Sequence, residues 1–170
     1  VGGVYRPGWT IDTGSPSASN DRLQIDDGEH IYNDINIDLS SQLTLEITDV
    51  DLSAMGSDGT DYLTVYFWTE QTSNLNIGIY QQSYSVLFQG NNGISIRKMD
   101  DAGNLTTIVS GTWSSSDSNF TATRDSNGTF ELFGEGSSQG TGSDTEFNSP
   151  SKAAVTTRNN CDASINELKW

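Results

Sequence analysis

The stretch Asp61 to Gln82, DYLTVYFWTEQTSNLNIGIYQQ, decides the fold that the sequence predicts. Apolar residues occupy alternate positions on both sides of the polar segment TEQTSN, as in β-strands, where successive side chains point to opposite faces. The pattern predicts a β-hairpin in which Phe67 lies opposite Ile77 and Val65 lies opposite Ile79. These aliphatic and aromatic side chains would form one core-facing side of a sheet.

The other face of this predicted hairpin carries aromatic and amide side chains. A sugar ring has a polar edge and an apolar C–H face, so a sugar site needs flat aromatic groups beside amides or charged groups. Arg97 lies on the side of a later strand opposite Ile94 and Ile96, and is predicted to border the same concave sheet face. The predicted carbohydrate-binding residues are Tyr62, Tyr66, Trp68, Asn76, Tyr80, Gln82 and Arg97.

An alternative interpretation gives this face no ligand. The long polar segment 135–151 would then cover Tyr66 and Trp68, which would form a second, minor core. Exposure of Trp68 distinguishes the two interpretations, and we favour binding because amides and glycine are poor core residues.

Short alternating runs separated by turn signals continue along the chain. Asn91-Asn92-Gly93 and Ser126-Asn127-Gly128 are typical of tight hairpin turns, and no convincing amphipathic helix occurs. At least ten short strands predict an all-β fold, a two-sheet antiparallel β-sandwich of the jelly-roll type. We expect residues 1–170 to form a single β-sandwich domain excised from a larger secreted protein, with other domains of the same parent chain as partners.

The composition limits the partners. The 23 acidic residues outnumber the 8 basic ones, giving a net charge of -15. Such a chain is expected to repel nucleic acid and anionic membranes, since binding to phosphates relies on Lys and Arg. No apolar run approaches the length of a membrane span, so no membrane insertion is expected. Cys161 is the only cysteine, which excludes an intrachain disulfide.

The second half of the chain carries a familiar order of motifs. A strand with glycine turns, GNNGISIRKMDDAGN, precedes the hairpin FTATRDSNGTFELFGEG, and the final segment CDASINELKW offers Asp162 and Ile165 at its start. This order resembles concanavalin A-like, laminin G-like jelly-roll domains, among them bacterial carbohydrate-binding modules. The resemblance implies one convex and one concave sheet, a role in binding glycans or protein ligands, and often a structural calcium ion.

The resemblance also implies where calcium would bind. Jelly rolls of this kind usually build the ion site from an early loop and the final strand, and calcium takes six to eight oxygen ligands. The predicted metal ligands are Asp26, Asp27, Glu29 and Asp162, with Asp58 and Asp61 as the second choice. The alternative is that each aspartate only stabilises its own turn.

Catalysis is not expected. Glycosidases of this fold need carboxylates facing one sugar, about 5–5.5 Å apart in retaining enzymes. The nearest approximation is the segment from Glu46 to Asp51, in which regular alternation puts Glu46 on one face and Asp49 and Asp51 on the other. His30 is the only histidine, and no nucleophile elbow is present.

The sequence therefore predicts a non-catalytic carbohydrate-binding module, secreted or on the surface of a bacterial cell, that binds a polysaccharide or oligosaccharide and is stabilised by calcium. Two alternatives remain open. One is an adhesin or structural protein-interaction module, which would contact its ligand through loops. The other is a glycoside hydrolase or polysaccharide lyase with an unusual carboxylate pair around Glu46.

Overall fold

The computed structural model describes residues 9–13, 17–19, 22–37, 42–69, 82–147 and 151–169, with side chains described over 22–29, 31, 42–67, 69, 82–147 and 153–169. Across these ranges the chain forms strands and turns, and no helix that could cross a membrane is found there. The strands are β1 (Trp9–Thr13), β2 (Ser17–Ser19), β3 (Arg22–Ile25), β4 (His30–Ile37), β5 (Leu43–Asp51), β6 (Tyr62–Thr69), β7 (Ser83–Gln89), β8 (Gly93–Met99), β9 (Leu105–Thr112), β10 (Phe120–Arg124), β11 (Thr129–Gly134), β12 (Ser137–Ser143), β13 (Ser151–Arg158) and β14 (Ala163–Lys169).

The strands form two antiparallel sheets of seven strands each. The first sheet has the order β1-β4-β13-β6-β7-β8-β9, and the second has the order β12-β11-β10-β5-β14-β3-β2. Neighbours such as β4 and β13 are far apart in sequence, so much of the pairing is long-range. The predicted all-β sandwich is confirmed.

The core lies between the two sheets and follows the alternation of the sequence. Val65 and Phe67 of the first sheet are buried, as are Leu45 and Ile47 of the second. Phe130 of β11 reaches across, with its ring centroid 6.1 Å from that of Phe67. Burying such side chains stabilises the fold by roughly 1.5–3 kcal/mol each.

The hairpin predicted over residues 62–82 is wrong in its pairing. Strand β6 pairs with β7 on one side and with β13 on the other, so Val65 lies between Val86 and Val155. Both edges of β6 are therefore hydrogen-bonded to other strands, and residues 70–81 lie outside the described part of the chain. The segment SYSVLFQ offers the same apolar alternation as the predicted partner, and it supplies the better core residues Val86 and Phe88.

Residues 135–151 are not one polar loop. Ser137–Ser143 form β12, which pairs with β11 in the second sheet. The strand lies against the edge strand β9. The two backbones approach so closely that a Cβ on Gly142 would lie 2.1 Å from the carbonyl oxygen of Ile108. Only glycine permits this backbone approach. Since β12 belongs to the second sheet, it does not cover Tyr66.

Strand β5 departs from regular alternation at Asp49. Ile47 and Val50 are both buried, so Thr48 and Asp49 lie between two core positions. Asp49 has a φ of 52°, and its N–H donates to Oδ1 of Asn119 at 3.1 Å. The register with β14 stays one to one across this point, so no residue is inserted. The left-handed backbone at Asp49 interrupts the alternation, and the residues that follow face the side opposite to the one that regular alternation predicts.

Candidate functional site

The outer face of the first sheet, away from the core, carries a row of polar and aromatic side chains. Cross-strand register places Arg158 of β13 beside Tyr62 of β6, and Tyr62 beside Gln89 of β7. All three side chains are half-buried. We call these three residues the arginine–tyrosine row.

Arg158 and Tyr62 hold each other in place. Nη1 of Arg158 donates to the Tyr62 hydroxyl at 3.1 Å, and the guanidinium carbon lies 5.9 Å from the centre of the tyrosine ring. Contact with an aromatic ring and one hydrogen bond orients the guanidinium while leaving most of its five N–H donors for other acceptors.

Arg97 of β8 reaches the row from the side. Its Nε donates to Oγ of Ser95 and its Nη2 donates to Oε1 of Gln89, both at 3.0 Å. Burial of the guanidinium lowers the pKa of Arg97 from its usual value, opposed by the nearby Tyr62. Arginine nevertheless keeps its charge in proteins, so a half-buried cation lies beside the arginine–tyrosine row.

Tyr66 lies on the same face, two residues after Thr64. Its register partners are Ala154 and Ser85. Burial of the phenol, together with the neighbouring Tyr62, raises the pKa of Tyr66, so the hydroxyl stays neutral and remains a hydrogen-bond donor.

One line of cross-strand neighbours separates Arg97 and Tyr66 from the row. They belong to neighbouring positions of β13, β6, β7 and β8 and are at most 7% exposed although they face away from the core. These residues are Thr156, Thr64, Leu87 and Ser95.

Loops at one end of the sheet fix the position of the row. Nε2 of Gln89 donates to the carbonyl of Gly59 at 2.8 Å, and Nδ2 of Asn159 donates to the carbonyl of Thr60 at 2.9 Å. Trp113 is buried, and its Nε1 donates to the backbone carbonyl of Gln89 at 3.1 Å. It therefore closes the end of the sandwich and is not an exposed ligand contact.

The structure brings together three of the residues predicted to bind sugar, Tyr62, Tyr66 and Arg97. Gln82 lies elsewhere, at the β8–β9 turn, where its Nε2 donates to Oδ2 of Asp101 at 3.0 Å. Trp68 has its backbone in β6, but its side chain lies outside the described residues, as do Asn76 and Tyr80 altogether. Whether these residues bind sugar stays a prediction.

Sequence reasoning missed Gln89 and Arg158. Gln89 ends a strand with apolar residues at alternate positions from Tyr84 to Phe88, so alternation would have placed it on the outer face. Arg158 ends a strand with three consecutive apolar residues, 153–155, which do not assign its side chain to a face. Nothing in the sequence indicates that they flank Tyr62, because β7, β6 and β13 become neighbours only through long-range pairing.

The predicted metal ligands come from segments that do meet. The N–H of Asp27 donates to Oδ1 of Asp162 at 3.1 Å, and the N–H of Asp26 donates to Oε2 of Glu29 at 2.9 Å. Burial and repulsion from Glu29 and Asp162 raise the pKa of Asp26. No group of three or more His, Cys, Asp or Glu side chains within the described ranges is arranged to hold a metal ion.

The second-choice metal ligands, Asp58 and Asp61, accept backbone hydrogen bonds within the loop before β6. Oδ2 of Asp61 accepts from the N–H of Asp58 at 3.1 Å, and Oδ1 of Asp58 accepts from the N–H of Thr60 at 3.0 Å. A Cβ on Gly56 would lie 2.2 Å from Oδ2 of Asp61, so the loop packs tightly around this buried carboxyl group.

The interrupted alternation at Asp49 changes the facing of the carboxylates considered for catalysis. The expectation that Asp49 and Asp51 point away from Glu46 is wrong, since all three are exposed while Val50 is buried. Each carboxylate has a partner of its own. Glu46 lies 3.7 Å from Nζ of Lys169, Asp49 forms a salt bridge with Arg22, and Asp51 accepts from the N–H of Ser53 at 2.9 Å.

No protein-family model and no curated protein matches this sequence. The structure is similar to carbohydrate binding module CBM66 from Bacillus subtilis, with a TM-score of 0.67 and 11% identity over 95% of this chain and 93% of that one. It is similar to the exoplasmic/lumenal domain of VIP36 in its Ca²⁺/Man-bound form, with a TM-score of 0.70 and 11% identity over 96% and 82% of the two chains.

A third similar structure is an enzyme. The β-glucanase of Bacillus licheniformis has a TM-score of 0.63 and 10% identity, over 96% of this chain and 92% of that one. Identities this low establish a shared fold and leave the function open. The chain has the concanavalin A-like jelly-roll fold.

Proposed function

We propose that the chain is a carbohydrate-binding module that binds a polysaccharide or oligosaccharide through the outer face of its first sheet. The observation that carries this proposal is the arginine–tyrosine row with Arg97 beside it. Tyr62 and Tyr66 offer aromatic surface for the C–H face of a sugar, and Gln89 offers an amide for its hydroxyls. The sugar-related names of the CBM66 and VIP36 structures support it.

The test is affinity electrophoresis through gels containing soluble polysaccharides. Tyr62→Ala and Tyr66→Ala should each weaken retardation by about tenfold or more, since aromatic anchors contribute most of the energy of small binding sites. Phe133→Ala is the matched control, because Phe133 is a half-buried aromatic residue of β11 in the second sheet. Retention of full affinity in both tyrosine variants would contradict the proposal.

Trp68 tests whether the predicted site extends along β6. Trp68→Ala should remove binding without changing the melting temperature if its indole faces a sugar, as the sequence predicts. A large loss of stability with unchanged binding would favour the alternative in which Trp68 is covered by other residues. That outcome would also favour an adhesin or structural interaction module.

A glycoside hydrolase is a second candidate, favoured by the exposure of Glu46, Asp49 and Asp51 on one face and by the likeness to β-glucanase. The local electrostatics argue against it. A general acid needs a raised pKa, whereas hydrogen bonds from Ser53 lower the pKa of Asp51. We therefore propose a non-catalytic module, and expect no release of reducing ends from a panel of soluble glycans.

We also propose calcium binding where the early loop meets the start of β14. Asp26, Asp27, Glu29 and Asp162 supply oxygen donors of the type calcium prefers. Their present arrangement does not fit the ion, because Glu29 and Asp162 accept backbone N–H groups of the turn. A thermal melt with calcium and with EDTA tests the proposal, and an unchanged midpoint would overturn it.

The setting of the module is part of the same proposal. We infer that the chain works outside the cell or in a lumenal compartment, as a domain of a larger bacterial protein. The exoplasmic/lumenal origin in the name of the VIP36 structure supports such a setting. Detection of the parent protein in culture medium or on the cell surface by an antibody against this domain tests it.

A further inference from the structure

The first sheet differs sharply in charge from the chain as a whole. Its five adjacent strands β13, β6, β7, β8 and β9 contain none of the 23 acidic residues. The same five strands contain four of the 8 basic residues. These are Lys152, Arg158, Arg97 and Lys98. In a chain with a net charge of -15, this part of the surface is a local exception.

Two of these cations have no acidic partner among the side chains that the structure describes. Arg97 contacts Ser95 and Gln89, and Arg158 contacts Tyr62, all of them neutral groups. Neither guanidinium forms a salt bridge with a carboxylate among the described residues. Within the described part of the chain, the two arginines are therefore held by neutral groups and not by carboxylates.

A half-buried guanidinium without a counter-ion is costly to the free protein. Removing a charge from water is unfavourable unless an opposite charge or several hydrogen bonds compensate. Such a group attracts anions, and the fork of N–H donors matches the paired oxygens of carboxylates and sulfates. The local potential above this face is set by these two cations more than by the net charge.

The spacing suits a ligand with repeated negative groups. Arg158 lies on β13, and Gln89, which Arg97 contacts, lies on β7, with Tyr62 of β6 between them. Two interstrand steps are roughly 10 Å. A matching ligand has an anionic group near each arginine and an uncharged ring face over Tyr62 between them. A polymer of acidic sugars has these features.

We propose that the outer face of the first sheet binds an acidic polysaccharide, whose carboxylate or sulfate groups Arg97 and Arg158 bind directly. This inference rests on the proposed function and names its ligand class. Net charge alone would favour neutral glycans, whereas the charges on this face favour an acidic one.

The first test compares probes in affinity electrophoresis with EDTA present throughout. Alginate carries carboxylates, dextran sulfate carries sulfates, and dextran is neutral. We expect retardation by at least one acidic polymer, which also identifies the preferred group, and little or none by dextran. Binding to none of the acidic polymers under these conditions, or equally tight binding of a single-stranded DNA oligonucleotide, would overturn the inference.

The second test assigns the binding to the two arginines. Arg97→Gln and Arg158→Gln should each weaken binding of the acidic polymer at least about tenfold, as expected for a lost charge-assisted contact. Lys169→Gln is the matched control, because it removes one positive charge from the second sheet. Arg158→Lys keeps the charge but not the fork, and should give an intermediate loss even if the glutamine variant folds poorly.

The outcomes separate the two proposals. Acidic-polymer binding that survives both arginine substitutions overturns the inference. Binding of dextran alone that is lost in Tyr62→Ala also overturns it, while the proposed carbohydrate-binding function stands.

Discussion

The outer faces of the two sheets differ in how their basic residues are partnered. In the second sheet, Arg22 forms a salt bridge with Asp49, and Nζ of Lys169 lies 3.0 Å from Glu167. In the first sheet, Arg97 and Arg158 contact only neutral groups among the described residues. The difference teaches that net charge says little about a single face, because what matters is where the carboxylates lie.

The same contrast occurs within one strand. Lys98 follows Arg97 in β8 but faces the other way, where its Nζ lies 2.6 Å from Oδ2 of Asp144 and 2.5 Å from Oε2 of Glu146. The cation beside the core is neutralised by the segment after β12, and the cation on the outer face is not.

The largest effect should come from giving Arg97 an acidic partner. Thr107 is its exposed register partner on the edge strand β9, so Thr107→Glu places a carboxylate beside the guanidinium. We expect at least about tenfold weaker binding of alginate or dextran sulfate, since the new carboxylate competes with and repels the ligand. Isothermal titration at fixed salt measures this change.

Thr106→Glu is the control for that substitution. It adds the same charge one residue earlier, beside Lys98 on the other face of β8. Binding should change far less than in Thr107→Glu. Equal losses in the two variants would mean that net charge, and not a partner for Arg97, governs binding.

The second largest effect is expected at Asp144, which forms a salt bridge with Lys98. Although burial opposes it, hydrogen bonds from Lys98 and Tyr84 lower the pKa of Asp144 below its ordinary value of 3.8. Asp144→Asn should reduce the free energy of unfolding at pH 7 by about 1–3 kcal/mol, the usual range for losing a buried charged hydrogen bond. Urea denaturation of the two proteins measures this difference.

The effect of Asp144 has a defined pH dependence. A carboxyl whose pKa is depressed in the folded state stabilises the protein above its unfolded pKa, and this stability is lost as the pH falls through the folded pKa. The difference between wild type and Asp144→Asn should therefore shrink below roughly pH 4. A difference that stays constant down to pH 2 would contradict this assignment.

A smaller effect is expected from the exposed pair of the second sheet. Asp49→Asn keeps the shape of the side chain and tolerates the positive φ of this position, so it isolates the ion pair with Arg22. The free energy of unfolding should fall by about 0.2–1 kcal/mol, as for other surface pairs. A loss well above this, measured by urea denaturation, would show that the ion pair also stabilises the left-handed backbone at Asp49.

The smallest effect is expected from Lys169→Gln. Lys169 is about half exposed, and its removal should change the free energy of unfolding by less than about 0.5 kcal/mol. Affinity for acidic polymers should stay at the wild-type value. A loss of affinity equal to that of Arg158→Gln would contradict the prediction that the polymer binds the outer face of the first sheet and not that of the second.

Sequence reasoning succeeded where a property belongs to one strand. The burial of Leu63, Val65 and Phe67 and the outward position of Arg97 follow from alternation, and each is found in the structure. The turn at Ser126-Asn127-Gly128 was also predicted correctly, and Gly128 has a φ of 80° that favours glycine.

It failed where a strand depends on a distant partner. The sequence SSQGTGS has no apolar alternation, and it forms β12 because β11 pairs with it and β9 approaches its glycines. The interrupted alternation at Asp49 likewise depends on the segment before β10, whose Asn119 accepts the Asp49 N–H. Neither feature is determined by residues close to it in the sequence.

The sequence by itself determined the all-β class, the inward and outward faces of most strands, and the acidic balance of the chain. Period-two alternation and turn residues are local properties, so they can be read without the fold. The tertiary structure alone decided that Arg158, Tyr62 and Gln89 are neighbours, since β13, β6 and β7 meet through pairing across much of the chain. The reason is physical: hydrogen bonds between strands choose partners by the whole packing of the sandwich, and several segments offer the same alternation.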